Sequence, residues 1–118
     1  MNGYLTTHVL DTARGMPAAG IEIELFRPED GPRTPIVSAM TNADGRTEAP
    51  LLSKGALQAG VYELVFHAGP YFDRTLGPAK GQRFLDRIPI RFGVDDPDAH
   101  YHVPLLLSPF GYSTYRGS

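Results

Sequence analysis

The sequence predicts an all-β fold, a sandwich of two antiparallel sheets with one short helix. Seven or eight short segments either alternate apolar and polar residues or are rich in β-branched ones, as strands are. The 13 glycines and 11 prolines are scattered along the chain, which indicates many turns between short elements. A length of 118 residues is typical of one domain, so we expect a single domain over residues 1–118.

Three strands are predicted in the first half of the chain. Residues 4–11 (YLTTHVLD) are rich in β-branched side chains and lead into a loop. Residues 20–26 (GIEIELF) alternate most clearly, which predicts one buried and one solvated face. Residues 36–41 are a short third strand, and residues 42–46 (NADGR) predict a turn because Asp and Gly tolerate its backbone angles.

The second half adds the helix and the remaining strands. A helix is predicted over 70–77, with Pro at its start and Gly at its end. Strands are predicted over 61–67, 87–94, 100–108 and 112–117. The last two are joined at SPFG, which favours a hairpin, and the final strand carries little charge to protect its edge.

Composition excludes several classes of function. A net charge of −2 provides no basic surface of the kind that nucleic acid requires. The absence of cysteine excludes a disulfide framework and thiolate chemistry. No apolar run approaches the roughly 20 residues of a membrane span. The N-terminal segment lacks the pattern of a secretory signal, so we expect a cytoplasmic protein.

The four histidines are the first candidates for chemistry. His100 and His102 lie two residues apart in one predicted strand, so they share a face. That pair suits a metal ion geometrically, but a third ligand would have to come from distant sequence. A half-buried histidine with a hydrogen-bonded partner is the more ordinary interpretation of each, and we treat His67 as structural.

Other polar residues leave alternatives open. Arg46 follows a turn and is either a solvated charge or a donor aimed at an anion. The acidic group at 95–98 lacks the spacing of a calcium loop, so a solvated turn is favoured. Ser108 and Ser118 do not lie in a G-x-S-x-G motif, which leaves a serine nucleophile without support.

Three segments together resemble a known family. The C-terminal segment HYHVPLLLSPFGYSTYRGS (100–118) resembles that of the transthyretin-like family, and LTTHVLD (5–11) and TNADGR (41–46) agree with it. More narrowly, His8, Arg46, His102 and the YRGS ending together resemble the 5-hydroxyisourate hydrolase branch. The resemblance extends from Leu5 to Ser118.

The resemblance implies a fold, an assembly and a reaction. The fold is a transthyretin-like sandwich of two antiparallel four-stranded sheets, and the assembly is a homotetramer with active sites at the interface between dimers. The reaction is the hydrolysis of 5-hydroxyisourate to 2-oxo-4-hydroxy-4-carboxy-5-ureidoimidazoline, a step of urate degradation. Neither a cofactor nor a metal is implied, and no nucleic acid or membrane partner.

It also implies roles for individual residues. His8 and His102 are expected to activate water and move protons, because the ordinary pKa of histidine lies near neutral pH. Arg46 is expected to hold the developing negative charge. Tyr115 and Ser118 are expected to orient the substrate, and Arg116 is expected to be structural.

Strand alternation gives an independent expectation about faces. His8 shares a face with Leu10, as His102 does with Leu106, and Tyr115 lies on a comparable face of the last strand. If these faces meet, the two histidines and the tyrosine converge. The opposite faces are expected to form the sandwich core, with Leu5, Val9, Tyr101, Val103, Leu105 and Leu107.

Two other functions remain possible at this point. A small-molecule carrier of the transthyretin type would use the same fold without chemistry, and a structural module would offer only its sheet edges to partners. The histidines and Arg46 speak against both, because they would make a channel polar and crowded.

Overall fold

The computed structural model describes residues 2–29 and 33–117. Within them lie ten strands and one helix. The strands in chain order are β1 (Tyr4–Thr6), β2 (Val9–Asp11), β3 (Met16–Pro17), β4 (Glu22–Phe26), β5 (Val37–Met40), β6 (Gly60–His67), β7 (Arg87–Val94), β8 (His100–His102), β9 (Leu105–Ser108) and β10 (Gly111–Thr114). The helix α1 (Ala68–Leu76) follows β6.

The first sheet has four strands in the order β5-β4-β6-β7, and all its pairs are antiparallel. Its longest pair joins β6 and β7, with Gly60 opposite Val94 and His67 opposite Arg87. The strands predicted over 20–26, 36–41, 61–67 and 87–94 are therefore confirmed, to within two residues at their ends.

The second sheet also has four strands, in the order β10-β9-β2-β3, and beside it β1 and β8 form a separate pair. The sandwich of two four-stranded sheets is confirmed. The expectation of two antiparallel sheets needs correction for the second sheet, because β2 runs parallel to β9. The strands of the separate pair, β1 and β8, are also parallel. Both pairs join strands that are far apart in the sequence, so no hairpin turn predicts their relative direction.

The two segments that pair in parallel, 4–11 and 100–108, are interrupted at the same level. The strand predicted over 4–11 breaks between Thr6 and Val9, and the strand predicted over 100–108 breaks between His102 and Leu105. Pro104 lies in the second gap and has no N–H for a ladder bond. Pairing resumes where the Leu105 N–H donates to the His8 carbonyl at 2.8 Å.

The core lies between the sheets on the expected faces. The six residues predicted from strand alternation are all at most 6% exposed: Leu5, Val9, Tyr101, Val103, Leu105 and Leu107. Their neighbours His8, Leu10, His102 and Leu106 are only partly buried. The opposite faces of the two parallel segments are thus available for a site.

The helix and the chain end complete the frame. α1 begins two residues earlier than predicted, and its Tyr71 hydroxyl donates to Asp11 Oδ2 of β2 at 2.6 Å. The predicted hairpin at SPFG is confirmed, with Gly111 opposite Ser108. The last strand ends at Thr114, and the chain then returns so that the Gly117 N–H donates to the His102 carbonyl at 2.8 Å. No helix in the described part of the chain has the length and apolar character to cross a membrane.

Candidate active site

A pocket of about 360 Å³ opens where the two parallel segments are interrupted. Its volume lies in the range of small-molecule sites, about 300–1,000 Å³. Its wall is formed by β1, β8 and the segment after the NADGR turn. The lining residues are Thr6, Thr7, Arg46, Thr47, Glu48, Ala49, Pro50, His100 and His102.

His102 is held on two sides. Its Nδ1 lies 2.8 Å from the Thr6 hydroxyl, and its ring edge faces the returning chain at Gly117, where an added Cβ would lie 2.5 Å from Cδ2. Within residues 2–29 and 33–117, Nε2 has no hydrogen-bond partner. That nitrogen is therefore free to bind a proton or a water molecule.

Burial and nearby positive charge favour the neutral form of this ring. Burial lowers the pKa of His102 below its ordinary value. The charge of Arg46 lowers it further, as do His100 and His8 when their rings are protonated. A neutral imidazole with an unbonded nitrogen is the form that a general base requires.

His8 lies at the interruption between β1 and β2, beside the turn that carries Arg46. Its Nε2 lies 2.8 Å from the Asp44 carbonyl oxygen. A carbonyl only accepts, so Nε2 carries the hydrogen and Nδ1 of the neutral ring carries a lone pair. The contact fixes the orientation of the ring.

The NADGR turn is built for close approach. The Asn42 side-chain oxygen accepts from the N–H groups of Asp44 and Arg46 at 2.9 and 3.2 Å. Gly45 has φ +75°, and a Cβ there would collide with the Val9 carbonyl and lie 3.3 Å from His8 Cδ2. Only glycine satisfies both conditions, which brings Arg46 next to His8.

Arg46 is exposed and lines the pocket. Its positive charge contributes to the lowered pKa of His102. The ion pairs found among the described residues do not include Arg46, so its guanidinium is available to a bound anion.

The other histidines occupy different positions. His100 lines the pocket, and its ring stacks on Tyr4 with centroids 4.0 Å apart. His67 lies in the first sheet, with Nε2 2.6 Å from Glu24 Oε1. In the described ranges, no three His, Cys, Asp or Glu side chains are grouped as a metal site would need.

The chain end is placed differently from the expectation. Tyr115 is exposed and lines a separate depression with Ile90 and Phe92, so one chain does not bring it together with His8 and His102. The Arg116 guanidinium lies over the Tyr101 ring at 4.0 Å from its centroid. The predicted Ser118 lies outside the described residues.

The pocket also contains residues that sequence reasoning missed. Thr6 contacts both His100 and His102, and Glu48 also lines the pocket. Thr6 carried a usable signal, because it shares a strand face with His8 in the segment 4–11. Glu48 carried none, since it follows the turn without any periodic pattern.

Comparisons with known proteins agree with this architecture. A family model described as the HIUase/Transthyretin family matches residues 5–117. A curated protein of Rhizobium meliloti (strain 1021), 5-hydroxyisourate hydrolase 2, is 55% identical over 117 residues, which cover 99% of this chain and 98% of that protein.

Solved structures show the same fold. A Klebsiella pneumoniae 5-hydroxyisourate hydrolase superimposes with a TM-score of 0.80 at 35% identity, covering 98% of this chain and 99% of that one. An (S)-allantoin synthase superimposes with a TM-score of 0.90 at 49% identity, although this chain spans only 44% of that longer chain. The fold is thus transthyretin-like, and the chain belongs to the HIUase/Transthyretin family.

Proposed function

We propose that this chain hydrolyses 5-hydroxyisourate to 2-oxo-4-hydroxy-4-carboxy-5-ureidoimidazoline, a step of urate degradation. Relatives that match it over their full length carry the name of this enzyme. The observation that carries the proposal is the grouping of Arg46 and two imidazoles around the neutral ring of His102. A carrier of the transthyretin type gains nothing from such a group.

His102 is the general base of the proposed reaction. Its Nε2 takes a proton from water, and the resulting hydroxide adds to a carbonyl carbon of the ring. The C–N bond then breaks, and the proton passes to the leaving nitrogen. General acid–base catalysis of this kind typically contributes about 10²–10⁴-fold in rate.

In the proposed reaction Arg46 stabilises the developing negative charge, and His8 is available to transfer a proton. The exposed guanidinium of Arg46 stabilises the negative charge that develops on the ring as water adds. His8, oriented by the Asp44 carbonyl, has Nδ1 available for proton transfer. No metal or cofactor is part of this mechanism.

The chain end enters the proposal through assembly. We keep Tyr115 and Ser118 as substrate-orienting residues and place the sites at the interface between dimers of a homotetramer. In one chain the exposed Tyr115 ring lies away from the pocket, so the proposal requires it to reach a pocket of a neighbouring subunit. A cytoplasmic location stays a prediction from the sequence.

The proposal is tested by generating 5-hydroxyisourate with urate oxidase and following its decay by absorbance. We expect fast decay with this protein, and a loss of at least about 100-fold with His102→Asn or Arg46→Glu. His67→Asn is the matched control, because it removes an imidazole outside the pocket.

Both site variants are expected to keep the assembled mass of the unmodified protein, measured by light scattering. Decay at the spontaneous rate with the unmodified protein would refute the hydrolase function. Normal turnover by either site variant would remove that residue from the mechanism.

A further inference from the structure

The hydroxyl of Thr6 lies between two imidazoles. Its Oγ1 is 2.6 Å from His100 Nε2 and 2.8 Å from His102 Nδ1. The parallel pairing of β1 and β8 creates this arrangement, since Thr6 lies opposite His102 and Tyr4 opposite His100. The three side chains therefore form a continuous hydrogen-bonded line in the wall of the pocket.

The hydrogen count limits how this line is protonated. A hydroxyl has one hydrogen, so Thr6 donates to only one of the two rings and accepts from the other. In one arrangement His102 Nδ1–H donates to Thr6, and Thr6 donates to His100 Nε2. In that arrangement His102 Nε2 has a lone pair, as a base needs.

The reverse arrangement is equally well bonded. There His100 Nε2–H donates to Thr6, Thr6 donates to His102 Nδ1, and His102 carries its hydrogen at Nε2. The first arrangement becomes the second when His102 Nε2 gains a proton from the pocket and two protons shift along the existing hydrogen bonds, which leaves His100 as an imidazolium. His102 is thus able to change from proton acceptor to proton donor without moving its ring.

We propose that Thr6 and His100 form a proton relay behind His102. When His102 Nε2 accepts a proton from water, Nδ1–H passes its proton to Thr6 Oγ1, and the Thr6 hydroxyl passes its own to His100 Nε2. His102 is then neutral with its hydrogen at Nε2, Thr6 is again a hydroxyl, and His100 is an imidazolium. This inference deepens the proposed hydrolysis and rests on it.

The surroundings favour moving the positive charge to His100. Burial and the neighbouring charge of Arg46 disfavour the charged form of His102, as its lowered pKa reflects. His100 is fixed by its stacking on Tyr4, with an angle of 3° between the ring planes. The face of an aromatic ring attracts a cation, so Tyr4 stabilises an imidazolium there.

Other charged groups face this line. Glu48 lines the pocket together with Arg46, and its carboxylate favours positive charge there. The Lys54 ammonium lies 5.8 Å from the Tyr4 ring centroid, and its charge disfavours a further positive charge nearby. Thr6 and His100 act through His102, so both are positioning residues.

The test compares Thr6→Val, which removes the hydroxyl at nearly constant shape, with Thr6→Ser, which keeps it. We expect Thr6→Val to lower kcat about tenfold or more, with KM nearly unchanged, and Thr6→Ser to restore most of kcat. His100→Gln should lower kcat similarly, and the Thr6→Val/His100→Gln double variant should be no slower than the worse single variant.

A measurement without substrate separates this inference from the proposed function. Nitrogen-15 NMR of the imidazoles reports which ring nitrogen carries hydrogen. In the unmodified protein we expect the titrations of His100 and His102 to be coupled, and in Thr6→Val we expect the coupling to weaken to the direct charge repulsion between the two rings. This result stands even if 5-hydroxyisourate is not the substrate.

Several outcomes would overturn the relay. Normal kcat in Thr6→Val would show that the hydroxyl is not needed. Equal losses in Thr6→Val and Thr6→Ser would indicate packing rather than proton transfer. Additive losses in the double variant, or independent titrations in the unmodified protein, would show that the two histidines are not connected through Thr6.

Discussion

Several effects act in one direction on the ring of His102. Burial removes water from the imidazolium form, and the charge of Arg46 repels it, as do His100 and His8 when their rings are protonated. Because its pKa is lowered, the ring stays neutral, and able to act as a base, to a pH below the ordinary value of 6.5. Activity is therefore expected to persist into mildly acidic solution.

The contribution of Arg46 to this effect is measurable. Replacing Arg46 by Gln removes one positive charge near His102, so the pKa of His102 should rise toward its ordinary value. The rise should be partial, since burial is the larger cause and remains. NMR titration of the His102 ring in the absence of substrate measures it.

Arg87→Gln is the control for Arg46→Gln. Arg87 is an exposed cation of β7 in the other sheet, and its charge is not among those that act on His102. An equal shift in both variants would indicate a general charge effect. An unchanged pKa in Arg46→Gln would show that the guanidinium points away from the ring in solution.

Some residues of the candidate site were predicted from the sequence, and others were missed. His8, Arg46 and His102 were named from family motifs. In the structure Arg46 and His102 line one pocket, and His8 pairs with Arg46 in an isolated β-bridge. Thr6 was missed because threonine is common in strands, so its type alone signals nothing. The displacement of Tyr115 from this pocket was hidden, because strand alternation gives a face and does not give the path of the chain beyond the strand.

At the scale of elements, the parallel pairs decide where the site forms. The sequence indicated which residues of 4–11 and 100–108 face the core, because alternation is local. It did not indicate that the two segments run side by side in the same direction, because that depends on pairing between distant residues. Pro104, which has no N–H, interrupts the β-ladder next to His8 and His102.

The returning chain end is an element with a testable effect on the site. Gly117 donates its N–H to the His102 carbonyl, and a Cβ there would lie 2.5 Å from the ring carbon Cδ2. Gly117→Ala must therefore displace either the His102 ring or the chain end. A misplacement of about 1 Å in a catalytic group is able to cost about 100-fold in rate, so we expect kcat to fall at least tenfold.

Stability should change little in Gly117→Ala, within about 0.5 kcal/mol, since the site lies at the end of the chain. Gly111→Ala is the matched control, because the nearest atom to its added Cβ is Ser108 Oγ at an ordinary 3.7 Å. Kinetics and thermal melting of both variants make the measurement. Full activity in Gly117→Ala would mean that the chain end does not hold the ring.

For the whole molecule, acid and alkali act on different groups. The Glu63 carboxylate is buried, and its pKa is lowered chiefly by its hydrogen bond to Arg33 and further by Arg91. Glu63 and His102 both have lowered pKa values, so their contributions to folding are lost as the pH falls below 4.5 and 6.5 respectively. The pKa of Tyr71 is raised by burial and by its hydrogen bond to Asp11, so its contribution is lost as the pH rises above 10.

The link between Tyr71 and Asp11 fastens the helix to the second sheet. Asp11 is only 3% exposed, and it accepts from the Tyr71 hydroxyl at 2.6 Å and from the Arg14 N–H at 3.0 Å. Tyr71→Phe leaves this buried carboxylate short of a donor, which should cost about 1–3 kcal/mol of unfolding free energy at neutral pH. Far above pH 10, ionisation of Tyr71 removes the same hydrogen from the unmodified protein, so the difference between the two proteins should shrink.

Thermal or urea unfolding of both proteins at pH 7, 9 and 11 measures this difference. Tyr112→Phe is the control, because Tyr112 is an exposed tyrosine of β10 and its replacement should leave stability unchanged at each pH. A Tyr71→Phe penalty that stays constant up to pH 11 would show that the lost packing, and not the lost hydrogen bond, destabilises the variant. A penalty that shrinks as the pH rises above 10 would show that the Tyr71–Asp11 hydrogen bond, which joins α1 to β2, limits the stability of the fold at alkaline pH.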